Sequence, residues 1–442
     1  MQKLNILADA AKYDVSCASS GVNRAGVKGK LGNSVSGGIC HSFTSDGRCI
    51  SLLKVLYTNS CKYDCTYCIN RKSNDIPRAT FLPEELCELT YNFYLRNFIE
   101  GLFLSSAVIK NPDYTSELIY RTVHMLRTQY GFNGYIHVKA IPGTSRELLE
   151  RLGRIVDRIS VNIEMPSESS LKLLAPDKNK SDIIAPMKLI RDKIVEREGN
   201  FKYIRSTPKF VPGGQSTQMI VGASGDTDLK IVKLTEAMYD RFKLKRVYFS
   251  AYVPINSHPL LPSIETKSPM LREHRLYQAD FLLRFYNFKA DEILNEKNPN
   301  FNQYIDPKCQ WAILHLDKFP VEVNKAPYYT LLRVPGIGQR SAKRIVQARK
   351  YAKLTIDDVK KLGAVVKRAR FFITCEGKYD PLLKFNESTI YNGLLQSSAV
   401  NDKQLSFFRS ETPLNVIESG KIIHLPVPVP PDDSDMLKEA AV

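Results

Sequence analysis

Between residues 51 and 253, six short apolar segments alternate with amphipathic helical patterns, and this alternation limits the fold more than any other feature. The predicted strands are SLLKVLYTN, GLFLSSAV, GYIHVKAI, RISVNIEM, TQMIVG and RVYFSAYV. Between them Leu86, Leu89 and Phe93 share one helical face, as do Ile119, Val123, Leu126 and Tyr130. SRELLERLGRIV, a helix through Ile183, Met187 and Ile190, and one through Ile231, Leu234 and Met238 complete the series. A helix between two strands carries the chain back over the sheet, so the strands pair in parallel. Six units rather than eight predict an α/β fold with a partial, open (β/α)6 TIM-like barrel. Its site belongs at the C-terminal ends of the strands.

At that end of the first strand stands CKYDCTYC, a C-x3-C-x2-C spacing that places Cys61, Cys65 and Cys68 on a loop. Thiolates ligate iron–sulfur clusters, normally four to a cluster. Three leave one iron of a cubane open to a substrate or cofactor. A zinc site completed by a distant ligand draws on the same residue type. The first residues lack the basic start and apolar run of a signal peptide, and no apolar stretch reaches the roughly 18–20 residues that cross a bilayer. The expectation is a cytoplasmic protein without a membrane partner, whose nine cysteines are not a disulfide framework. Cys17, Cys40 and Cys49 precede the first strand. They read as buried thiols or as ligands of an auxiliary cluster, with His41 a further candidate ligand or acid/base group. Cys87, Cys309 and Cys375 have no ligand-like spacing.

Beyond Pro254 the alternation stops, and SPMLREHRLYQADFLLRFYNF reads as a long aromatic-rich helix. The formal net charge is +17, which favours phosphate-rich partners. The excess is concentrated: residues 321–370 hold thirteen Lys and Arg against three Asp and Glu, a net +10. Within this stretch VPGIGQRSAKRIVQARK has the form of a helix-hairpin-helix motif. Gly336 and Gly338 permit a tight turn that exposes backbone N–H groups at the start of a helix, where the partial positive charge suits a phosphate. Gln339, Arg340, Lys343 and Arg344 follow on its first turns. LTIDDVKKLGAVVKRAR reads as a second, degenerate hairpin with Gly363-Ala364-Val365 in place of Gly-x-Gly. A protein-binding hairpin has the same form, and the local charge favours nucleic acid. The predicted organisation is a Gly-rich N-terminal extension (1–50), the barrel (51–256), a helical connector (257–320), an all-α helix-hairpin-helix domain (321–375) and a C-terminal extension (376–442) with a disordered end.

The cysteine spacing, with Tyr67 before the last cysteine, resembles the radical S-adenosylmethionine (SAM) superfamily. That resemblance implies a [4Fe–4S] cluster on Cys61, Cys65 and Cys68 whose open iron binds the amino and carboxylate groups of SAM. Reductive cleavage then gives methionine and a hydrogen-abstracting 5′-deoxyadenosyl radical. It also implies a SAM site. Ser105 and Ser106 stand where the family often has Gly-Gly-acidic for the amino group. Asn162 and Glu164, on one face by period two, stand where it binds the ribose. Lys139 suits the SAM carboxylate or a substrate phosphate, and Val221 and Gly222 stand where backbone packs on adenine. LADAAKYDVSCASSG, GICHSFTSDGRCISLLK, PRATFLPEEL, IEGLFLSSAV and REHRLYQADFLLRFY extend the resemblance to the DNA modification/repair group of radical SAM proteins. That group implies action on DNA, a uracil-DNA-glycosylase-like partner protein and a reducing electron donor. An RNA substrate, or a non-catalytic Fe–S DNA-binding protein, are the alternatives.

Overall fold

Eight strands join in a single sheet in chain order: β1 (Ala18–Ser19), β2 (Ile39–Phe43), β3 (Cys49–Leu56), β4 (Gly101–Ser105), β5 (Tyr135–Lys139), β6 (Arg158–Ser160), β7 (Gln215–Val221) and β8 (Arg246–Ala251). This computed structural model describes residues 2–11, 18–19, 39–43, 49–201, 209–405, 415–418 and 421–424. From β3 to β8 every pairing is parallel. These are the six predicted strands, and β3 does not pair with β8, so the barrel is partial. Leu53, Leu102 and Ile136 stand side by side in register and are fully buried. Within the N-terminal extension, β1 and β2 continue the sheet antiparallel beyond β3. The Gly-rich segment itself, Cys17 and the last residues of the chain lie outside the described residues, as does the side chain of His41.

Local chemistry sets the helix starts. Pro83–Leu95 opens on a proline, whose missing N–H costs nothing there, with Glu84 and Glu85 against the positive helix end. Pro112–Thr128 opens the same way, and Asn111 caps it by accepting from the Tyr114 N–H at 2.7 Å. A short helix, Glu168–Leu174, follows β6 where none was predicted.

Two compact units divide the described residues. The first lies within Met1–Asp226 and Ala237–Pro269, the second within Thr227–Glu236 and Met270–Arg409. In the second unit the predicted long helix forms as Met270–Phe285. Trp311, Phe319 and Phe372 pack edge to face in its core. Residues 321–375 hold four short helices, Tyr328–Leu331, Gln339–Ala348, Ile356–Lys361 and Val366–Ala369, and a two-residue parallel pair, β9 (Val321–Glu322) with β10 (Ile373–Thr374), joins their ends, so this part is not all-α. A helix, Glu387–Leu405, occupies the predicted C-terminal extension.

Burial drives the His274 imidazole on the long helix down to about 4, with Arg275 acting in the same direction. The unfolded chain takes up this proton near the ordinary value of 6.5, so the contribution to stability is full above 6.5 and is lost as pH falls towards 4. Wild type should lose about 3 kcal/mol relative to His274→Leu over that interval. Urea unfolding of both proteins across the interval checks this. Parallel curves would show that the ring protonates freely in the fold.

Candidate functional site

The cysteine loop leaves β3 and is held by backbone bonds before any ligand is considered. The Arg78 guanidinium donates to four carbonyls, those of Asn59, Asn70, Arg71 and Asn74, at 2.6 to 2.9 Å. Asn256 donates to the carbonyls of Thr66 and Cys68 and accepts from Asn74. Thr66 donates through both its N–H and its hydroxyl to the Leu174 carbonyl. Each bond uses a group that the loop would otherwise leave unsatisfied.

The three thiols interact electrostatically. Burial pushes the Cys68 thiol up to about 12, with Cys65 next in effect; burial also raises Cys65, and Lys178 opposes it. Bare thiolates are costly there, and a cationic iron centre offsets that cost. Among the described residues no three His, Cys, Asp or Glu groups converge on a single ion. A cubane asks for no such convergence, since each thiolate binds a different iron.

Around the cysteines lies a buried polar cluster. Lys178 donates to Glu164 at 2.8 Å and reaches the Tyr67 hydroxyl at 3.5 Å, so it bridges two of the predicted site residues. Burial works against the Lys178 ammonium, but Glu164, Tyr67 and Cys65 outweigh it and hold it well above its ordinary value. Glu164 has φ +61°, a left-handed backbone that strains a residue with a Cβ. The N–H groups of Ile163 and Glu164 both donate to the Gln218 carbonyl. Regular β6 ends at Ser160, and the period-two relation between Asn162 and Glu164 breaks at this bulge. Asn162 instead donates to Gln218 at 3.2 Å.

Three of the buried side-chain oxygens here have no hydrogen-bond partner: Ser105 Oγ at the end of β4, Asn162 Oδ1 beyond β6, and Ser216 Oγ on β7. Buried polar atoms are normally satisfied, so these positions fit a hydrogen-bonding ligand such as SAM. Ser106 is turned onto its own loop, its hydroxyl donating to the Ala107 carbonyl. Lys139 ends β5, half-buried and in register with Ser160. Val221 ends β7, and Gly222 has φ +88° with the Pro269 ring 2.6 Å from where a Cβ would stand, so only glycine fits.

Lys178 has no motif around it and was not predicted. Nor was Asp226, whose Oδ2 accepts from the hydroxyls of Ser167, Ser170 and Ser224 and ties the loops after β6 and β7 together. Cys40 packs with Ile50, Leu52 and Phe103 as a small hydrophobe, and Cys49 is exposed at the start of β3. The Cys87 thiol donates to the Thr122 carbonyl and that of Cys309 to Asp306.

In the second unit the turn predicted as a hairpin has Gly336 at φ +82°, with the Val365 carbonyl 2.5 Å from a would-be Cβ. Gly338 begins the helix Gln339–Ala348. The turns at Gly336 and Gly363 meet: Val365 N–H donates to the Gly336 carbonyl, and the Ser341 hydroxyl donates to that of Gly363. Arg340, Lys343 and Arg344 are exposed on the helix. The expected open row of N–H groups is incomplete, because that of Gln339 faces the Tyr286 hydroxyl. Lys308 lies beneath the turn and donates to the Ile337 carbonyl at 2.7 Å, and burial pushes its ammonium down to about 7.

Among the described residues no helix is long and apolar enough to cross a membrane. Residues 55–204 match the profile of the Radical SAM superfamily. No match was found among curated proteins. Among solved structures, the [FeFe]-hydrogenase maturase HydG from Carboxydothermus hydrogenoformans aligns over 52% of this chain and 50% of its own, at 13% identity and TM-score 0.37. Methylornithine synthase (PylB) aligns over 52% and 60%, at 11% identity and TM-score 0.39. The cobalamin-dependent SAM radical enzyme OxsB aligns over 88% and 44%, at 10% identity and TM-score 0.28. The chain thus spans about half the length of these neighbours.

Proposed function

We propose that this chain is a radical SAM enzyme, with a [4Fe–4S] cluster and SAM as cofactors, and that it acts on DNA in nucleobase modification or repair. When bound, the two cofactors supply reductive SAM cleavage and a hydrogen-abstracting 5′-deoxyadenosyl radical. Cys61, Cys65 and Cys68 would hold the cluster. Ser105, Asn162 and Glu164 would hold the polar groups of SAM, with Lys178 orienting Glu164, and the backbone at Val221 and Gly222 would face the adenine.

The observation that carries the DNA reading is the second unit's basic hairpin. A glycine turn at a helix start followed by three exposed cations suits a phosphate backbone and carries no base information. A target base in a duplex must leave the stack to meet a radical, or arrive single-stranded. A uracil-DNA-glycosylase-like partner and a reducing electron donor belong to the same reading.

Anaerobically reconstituted, reduced protein should release 5′-deoxyadenosine, and DNA should stimulate the release. Stimulation by RNA alone would move the substrate to RNA, the 2′-hydroxyl being the discriminating group. Indifference to both would remove the nucleic-acid reading and leave the radical chemistry. Replacing Arg340, Lys343 and Arg344 together by alanine should weaken DNA binding and lower its salt slope by about 2–3. An unchanged slope would mean that the hairpin does not meet phosphates.

A further inference from the structure

We propose that a cavity beside the hairpin's first helix receives a single unpaired nucleotide. Trp311, Lys318, Phe319, Tyr329, Thr330 and Arg333 line it, within the second unit, and it is a recess open to solvent with about 230 Å³ of space. Sites that engulf drug-sized ligands run to about 300–1,000 Å³. The occupant is therefore small, or is one protruding part of a larger molecule.

The walls select its chemistry. Phe319 and Tyr329 offer aromatic surface, and Tyr329 is 62% exposed, held edge-on against Tyr328 at 5.3 Å. Every nucleobase has a π-face for such a platform. Lys318 is exposed at the rim, with its ammonium 5.1 Å from the Trp311 ring centre, and it suits a phosphate. Thr330 adds a hydroxyl. Arg333 shapes the wall without serving as a ligand, since its guanidinium already donates to the Tyr286 and Asn287 carbonyls and to Glu292. Trp311 is stacked on His315 at 4.7 Å, and its buried N–H has no acceptor.

The occupant follows from position and charge. Tyr329 and Thr330 lie in the helix Tyr328–Leu331, which runs directly into the Gly336 turn. Residues 321–370 carry a net +10. A strand gripped by its phosphates at the turn has an aromatic, cation-rimmed recess one helix away, large enough for one base and too small for a pair. The assignment rests on the nucleic-acid reading above.

Trp311 is the chain's single tryptophan, so its emission reports on this cavity. With the full chain, oligodeoxythymidylate should change that emission saturably. A duplex carrying one bulged thymidine should bind more tightly than the fully paired duplex. Tyr329→Ala should weaken binding to the bulged duplex and the single strand about ten-fold, with paired-duplex binding unchanged. Lys318→Ala should act in the same direction. Both side chains are exposed, and unfolding curves matching wild type verify the fold of each variant. Wild-type binding by both variants, with unmoved tryptophan emission, would overturn the cavity assignment and leave the hairpin reading intact. If wild type binds neither paired nor unpaired DNA, the cavity assignment falls together with the nucleic-acid reading.

Discussion

Cys65→Ala should yield a protein that cannot assemble its [4Fe–4S] cluster and releases no 5′-deoxyadenosine. Cys65 is the most buried of the three cysteines, at 5% exposure, and it interacts with both others. A cluster with one open iron has no spare protein ligand, so losing one of three thiolates removes the iron that it holds. The polypeptide itself should survive. The Arg78 clamp, the Asn256 bridge and the Thr66 bonds use no atom of the Cys65 side chain. Iron and sulfide content should therefore collapse while the unfolding of the metal-free variant matches that of metal-free wild type. A Cys65→Ala protein that keeps both cluster and SAM cleavage would sink the ligand assignment.

Lys178→Met should destabilise the fold by about 3–5 kcal/mol, because it breaks a buried ion pair by removing one of its two members. The two side chains are only 14% and 10% exposed, so water replaces little of what is lost. Adding Glu164→Gln should restore most of the stability, since neither charge is then left alone, although the polar site would remain impaired. Denaturant unfolding of the wild type, both single variants and the double variant measures the coupling. A loss below about 1 kcal/mol in Lys178→Met, the range of exposed pairs, would show that the fold does not depend on this ion pair.

The six parallel strands were legible because each is a short apolar run between helical patterns. Their ends were less so. The fourth was predicted as RISVNIEM, but β6 stops at Ser160, although Val161 and Ile163 still donate to β7. Alternation cannot register a left-handed residue, and Glu164 carries the one that breaks it. The cysteine loop was legible from spacing, whereas its clamp was not: Arg78 reaches carbonyls up to 19 residues away, a relation that no local pattern encodes. Lys178 escaped for the same reason, being a loop lysine among several in PDKNK until folding sets it against Glu164. Gly336 lies in a turn with positive φ, a conformation its residue type allows, yet the Tyr286 hydroxyl at the Gln339 N–H comes from the residue just past a helix, more than fifty positions earlier. β1 and β2 belong to the sheet through antiparallel pairing, which a search for strand–helix alternation does not see.

A thermostability screen on this chain would be drawn to position 164. Glycine there relaxes the left-handed backbone by about 1 kcal/mol. Joined to Lys178→Met, it also removes two desolvated charges, an exchange that ranges from neutral to about 4 kcal/mol stabilising. Selection for heat resistance alone would thus erase the carboxylate, and the hardiest descendants would be those that had lost their polar site. Position 164 is where this protein's tolerance of heat and its proposed SAM site pull in opposite directions.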